Sequence, residues 1–247
     1  EELLFEKEYT YFLSQININP RHKRYTKTKN GIRQYFSLDE DSRRETSEKL
    51  VRDNYGKGEI VKSTLLEKLI LLCATKFSAI DAYGMGIEME GGKPGWYDAL
   101  NGLPGIFGSS MAETYELARN LDFTIKMLRK YPCHISVLED LSEFIEDISM
   151  VVEEEKKSLF SDIEVISFWN KINNAKEKYR KNVYSGISGD RVSVDGKELS
   201  DILENFYHVV KKGVEKACSL ENGICPTYFA YEVTDYEELE DGIMPKH

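Results

Sequence analysis

Metal-binding and disulfide signatures are missing from this chain. Its four cysteines (Cys73, Cys133, Cys218 and Cys225) are few for 247 residues and show no CxxC spacing. That fits a reducing, cytoplasmic setting in which they act as small buried hydrophobes. The four histidines (His22, His134, His208 and His247) have neither HExxH nor paired spacing, so no metal is expected. The longest apolar run, residues 69–74, is far too short to cross a bilayer, which argues against a membrane partner. The chain opens on Glu1 and Glu2 without the basic and apolar segments of a signal peptide. It also opens without Met, which points to a fragment of a longer protein. Positive charge is in deficit, with 33 basic against 43 acidic residues and a net charge of −10. Such a surface repels phosphate backbones and makes nucleic acid a poor partner. Residues 21–33 run against the trend with Arg21, Lys23, Arg24, Lys27, Lys29 and Arg33, and read as a solvated loop.

What the chain does have is helical periodicity. With 41% hydrophobic and 31% charged residues it can bury a core and keep a polar surface. Thr64 and Glu67 form a capping box for a helix to residue 80 that apolar residues, Leu69 and Leu72 among them, nearly encircle. The same device opens helices at Ser110 and at Ser136, and Tyr131-Pro132 closes the first of these. Further helices are expected over residues 162–183 and 199–218, with shorter ones over 2–14 and 38–52. Strand signals are few: a small β-hairpin around Arg191 to the Asp195-Gly196 turn, and a late strand over 227–233. The sequence predicts one mainly α domain over residues 1–247, built from antiparallel helical pairs.

One segment breaks the pattern. Residues 84–108 hold eight glycines and two prolines between two helices. Loops of this length inside a compact domain tend to be functional or disordered. The apolar surface of Trp96, Tyr97, Leu100, Ile106 and Phe107 argues for an ordered loop folded over a pocket. A P-loop is rejected, since Gly92-Lys93 runs into Pro94 and no GxGxxG spacing is present. The polar residues are Glu88, Glu90, Lys93, Asp98 and Asn101. Glycosidic cleavage needs a carboxylic acid in an apolar setting to protonate the leaving oxygen. Asp98, beside Tyr97 and near Trp96, has that setting; aromatic rings stack on sugar faces, and the Asn101 amide can bond hydroxyls. The residues alone leave a second reading open, in which Asp98 caps a helical turn and Trp96 is core.

Gly95-Trp96-Tyr97-Asp98-Ala99-Leu100-Asn101 resembles the Asp-Trp-Asn-Asp-Gly-Met-Asn signature of cellobiose phosphorylase and related inverting glycoside phosphorylases. The wider stretch, from Tyr55-Gly-Lys-Gly-Glu59 to Gly105-Ile-Phe-Gly-Ser-Ser110, is more similar to the long bacterial cellobiose-phosphorylase-like proteins, which include β-glucan oligosaccharide phosphorylases. The match covers Arg52 to Glu116. The resemblance implies that the chain is part of an (α/α)6 barrel, with Asp98 as the general acid. It places Trp96, Tyr97, Asn101, Glu88 and Glu90 at the sugar, with Lys93 the nearest loop cation for inorganic phosphate as co-substrate. No other cofactor is implied. Gly95, Tyr97 and Ala99 stand where the short enzymes have Asp, Asn and Gly, so the sugar is left unnamed. The expected partners are an oligosaccharide or sugar phosphate, the rest of the parent enzyme, and further copies of the chain covering exposed barrel faces. Two alternatives remain: an inverting glycoside hydrolase with Glu88 or Glu90 as base, or a non-catalytic helical domain that binds carbohydrate or serves as a scaffold.

Overall fold

The computed structural model of the chain describes residues 2–90, 107–155, 165–220 and 222–246. The N-terminal quarter is strand-rich, against expectation. Glu2–Phe5 makes one helical turn, after which β1 (Glu8–Thr10), β2 (Asn17–Ile18), β3 (Tyr25–Thr28), β4 (Gly31–Gln34), β5 (Leu38–Asp39) and β6 (Lys62–Thr64) follow. They pair antiparallel as β1 with β6, β2 with β5, and β3 with β4. Of the helices expected over 2–14 and 38–52, the first forms only as the turn Glu2–Phe5 and the second does not form. Their few apolar residues are better satisfied by pairing with distant strands, and tertiary context overrides weak propensity.

Helix α1 (Leu65–Phe77) starts on Thr64, whose hydroxyl accepts the Glu67 N–H at 3.1 Å. The Glu67 carboxylate does not close the capping box. It lies buried and accepts from the Leu138 N–H (3.0 Å) and the Ser63 hydroxyl (3.0 Å), and it pairs with Arg191. Next come β7 (Ile87–Glu88), β8 (Phe107–Ser110) and α2 (Met111–Lys130), which Ser110 caps and which stops before Tyr131-Pro132 as expected.

Ser136 is no cap. It sits inside β9 (His134–Leu138), which pairs along its whole length with β10 (Arg191–Asp195), beyond α3 (Glu139–Glu155) and α4 (Val165–Tyr184). The expected local hairpin is therefore a long-range pair. Ile135 and Val137 face the core by strand alternation, and this burial outweighs a capping signal. Asp195 is also no hairpin turn; its carboxylate caps α5 (Gly196–Leu220) by accepting from the N–H groups of Lys197 (2.8 Å) and Glu198 (3.0 Å). Strand β11 (Tyr228–Tyr231) realises the late strand, and β12 (Tyr236–Leu239) and β13 (Gly242–Pro245) form a closing hairpin.

About half of the described residues are helical and the sheets are small, so the chain is mainly α. One apolar core joins helices α1 to α5 and β9. Phe77 stacks on Phe206 and Phe144 on Tyr179, each pair with centroids 4.3 Å apart. Helices α2 and α5 run antiparallel: the Gly196 N–H reaches the Cys133 carbonyl at one end, while Met111 packs near Ala217 at the other. Helices α3 and α4 form a second antiparallel pair, with Lys171 against Glu155 and Lys178 against Asp147. Apolar contact does not encircle α1. Leu72 is exposed and, with Leu69, lines a surface groove that Leu117 and Phe123 of α2 complete. No helix among the described residues is long and apolar enough to cross a membrane.

Candidate functional site

The segments that flank residues 91–106 pair with each other in one small sheet, ordered β11-β8-β7. Glu88 is opposite Ser109 in that sheet, and the Met89 N–H reaches the Gly108 carbonyl at 2.9 Å. Asp81 fixes this base. Its buried carboxylate accepts from the N–H groups of Tyr83 (2.9 Å), Met85 (3.0 Å) and Gly86 (2.7 Å). It also accepts from the hydroxyls of Ser109 (2.7 Å) and Tyr231 (2.5 Å). Burial and this carboxylate push the Tyr231 phenol far above its ordinary range, so it stays a donor. Gly86 is required here because a Cβ would lie 2.3 Å from the Ser109 hydroxyl oxygen.

Beyond β7, residues two apart point to the same side, which sends Glu88 and Glu90 into one buried polar cluster. Glu88 accepts from the Tyr25 hydroxyl (3.2 Å) on Oε1 and from the Trp169 indole N–H (3.0 Å) on Oε2. Glu90 takes both Nη groups of Arg180, at 2.6 and 3.2 Å, and Arg24 Nη1 lies 3.2 Å from its Oε1. Arg21 lies over the Trp169 ring at 5.1 Å and donates to Asn170, Asn174 and Glu177. Arg24 is wholly buried. Its Nε donates to the Asn19 carbonyl at 2.6 Å, but its two Nη atoms make no directed hydrogen bond.

Helix α4 supplies the other wall. Trp169, Asn173, Lys176 and Arg180 recur at spacings of four, three and four, one stripe of a helix. Lys176 is buried and makes no direct ion pair among the described residues. Burial, and then Arg180 and Arg24, push its ammonium down to about 7, against the pull of Glu90 and Glu88. The Asn173 Oδ1 is buried and has no hydrogen-bond partner. Among the described residues, the cations Arg21, Arg24, Lys176 and Arg180 face the carboxylates of Glu88, Glu90 and Glu177. A neutral Lys176 balances this set, and a protonated one leaves a single positive charge.

Of the residues singled out from sequence, Glu88 and Glu90 are brought together, while Lys93, Trp96, Tyr97, Asp98 and Asn101 lie outside the described residues. The reading of residues 21–33 as a solvated loop is corrected at Arg21 and Arg24, both buried against α4. The α4 stripe was missed. Its signal is there in Trp169-Asn170-Lys171-Ile172-Asn173-Asn174, where three asparagines, poor helix formers, stand beside an indole in a helix with a clear apolar side. Compared with models of known families and with curated proteins, the chain matches none.

Proposed function

We propose that the chain is part of the (α/α)6 catalytic barrel of an inverting glycoside phosphorylase acting on β-glucosides or β-glucan oligosaccharides. Asp98 protonates the glycosidic oxygen while inorganic phosphate attacks the anomeric carbon from the opposite face. The C–O bond to the leaving sugar breaks, and a sugar 1-phosphate of inverted configuration forms. Trp96, Tyr97 and Asn101 bind the sugar, with Lys93 beside them. Glu88 and Glu90 act as positioning residues at the start of the loop, and the apolar groove between α1 and α2 is covered by the rest of the parent enzyme.

The observation that carries the reading is the cluster itself. A chain with net charge −10 buries Arg21, Arg24 and Lys176, with Arg180 half-buried beside them, at the base of the one loop that bears the motif, and both Nη groups of Arg24 are without a hydrogen-bond partner. Phosphorolysis must hold a dianion, and buried guanidinium and ammonium groups are its usual partners. Hydrolysis instead needs a second carboxylate free to activate water. Both oxygens of Glu88 and both of Glu90 already accept hydrogen bonds within the protein, which disfavours either as that base.

The test is phosphate release from glucose 1-phosphate with short β-glucan acceptors, comparing the chain, its parent protein and Asp98→Asn. The expected result is release by the parent that is lost in the variant. Turnover of β-glucans without phosphate would move the assignment to hydrolysis. Unchanged sugar affinity in Asp98→Asn, with no turnover by the parent, would leave a binding domain.

A further inference from the structure

Cysteine, scarce in this chain, is concentrated at one point of the fold. Cys73 is buried in α1, whereas Cys133 and Cys225 are exposed and Cys218 is half-buried, so the expectation of four buried hydrophobes holds only for the first. Cys218 lies in the last turn of α5. Beyond that helix Asn222 and Gly223 adopt left-handed backbone (φ 53° and 87°), and the Gly223 N–H bonds the Cys218 carbonyl at 2.8 Å. Asn and Gly are the residues that tolerate this conformation, and the reversal it produces brings Cys225 back against the helix. The two sulfur atoms end 2.8 Å apart. Just downstream, the Tyr115 hydroxyl donates to the Pro226 carbonyl (2.8 Å) and the Met111 N–H to that of Thr227 (3.0 Å). The chain then enters β11, the strand whose Tyr231 holds Asp81.

We infer that Cys218 and Cys225 are a reversible modification site, a dithiol that low-molecular-weight disulfides oxidise to an intramolecular disulfide tethering β11 to the end of α5. The exposed Cys225 reacts first. Its thiolate attacks one sulfur of the small disulfide, forms a mixed disulfide and expels one thiolate. Cys218 then attacks the Cys225 sulfur and expels the second. Two electrons pass to the small disulfide, and the two protons lost from the cysteines end on the two thiols released. The tether closes a loop of only eight residues, so its stabilisation is moderate. Its consequence is local: the strand that supports the base of the loop is pinned to a core helix.

The experiment incubates the full chain with excess glutathione disulfide, then unfolds it, alkylates remaining thiols and measures mass. Four alkylated cysteines before oxidation and two after, with a peptide linking Cys218 to Cys225, are expected. Tm should rise by about 5–10 °C, and amide exchange over β11 should slow. Cys218→Ser should instead trap a glutathione adduct on Cys225, and Cys133→Ser should still form the bridge, with three alkylated cysteines before oxidation and one after. Four free thiols after oxidation, a bridge involving Cys133, or covalent dimers would overturn the site. A bridge that leaves β11 exchange unchanged would overturn the tether.

Discussion

Ile172 and Asn173 are consecutive residues of α4, both with no exposed surface, and they meet opposite surroundings. Ile172 belongs with Phe168, Ala175 and Tyr179 to the apolar core. Asn173 belongs with Trp169, Lys176 and Arg180 to the polar stripe, where its Oδ1 has no partner. Excluding water helps the first side by about 1.5–3 kcal/mol for a side chain such as Ile. On the second side each buried, unpartnered polar group costs about 1–3 kcal/mol. One helix therefore carries a face that stabilises the fold and a face that weakens it. A buried polar set of this kind holds together only through its pairing, and replacing it by apolar residues is often neutral or favourable. The difference separates what builds the domain from what the domain holds beside Glu88 and Glu90.

The strongest way to break the polar side is to remove the residue its cations share. Glu90→Ala leaves the buried Arg24 and the half-buried Arg180 without their carboxylate and should cost about 3–5 kcal/mol by urea unfolding. A loss below about 1 kcal/mol would mean that the cluster opens to solvent instead of depending on pairing. The matching change on the apolar side, Ile172→Ala, should cost about 2–5 kcal/mol through lost burial and the cavity left behind. The two losses have different signatures. That of Ile172→Ala should be the same at pH 6 and pH 9, because no titrating group is removed.

How much of this was legible in the sequence follows from the range of the interactions. Helices α1 and α2 declare themselves locally, through Thr64 and Ser110 and through apolar residues a turn apart. Strands β9 and β10 meet across more than fifty residues, so Ser136 looked like a cap and Asp195-Gly196 like a turn until each had its long-range partner. The basic stretch failed for the same reason. Arg21 and Arg24 are buried by Glu177 and Glu90, well over sixty residues away, and a charge pattern read locally assigns such residues to solvent. Glu88 and Glu90 were found from their place beside the glycine-rich motif, which is short-range information. Their partners on α4 were not, because polar residues at helical spacing look like an exposed face unless something charged covers them.

Lys176→Met asks whether the polar side is a cost to the fold. The folded ammonium titrates near pH 7, whereas an unfolded lysine does so near pH 10.4. Between those values the unfolded chain binds the extra proton, so stability rises with pH, by up to about 1.4 kcal/mol per pH unit. Below pH 7 both states are protonated and the penalty is present in full. Cys73, pushed up to about 12, acts in the opposite direction once an unfolded thiol titrates, and Tyr25 and Tyr231, both raised, do so above about pH 10. Subtracting the curve of Lys176→Met removes these shared contributions. The variant should be the more stable protein at pH 6 by about 1–4 kcal/mol, and the gap should close by pH 10. A gap that does not change with pH would show that Lys176 is solvated in solution. If the variant in the parent protein also loses affinity for phosphate, the same buried charge that weakens the fold serves the reaction, as expected where a site is kept at the expense of stability. If it gains stability and keeps phosphate affinity, the polar stripe of α4 holds the loop base in register, and the co-substrate is bound elsewhere.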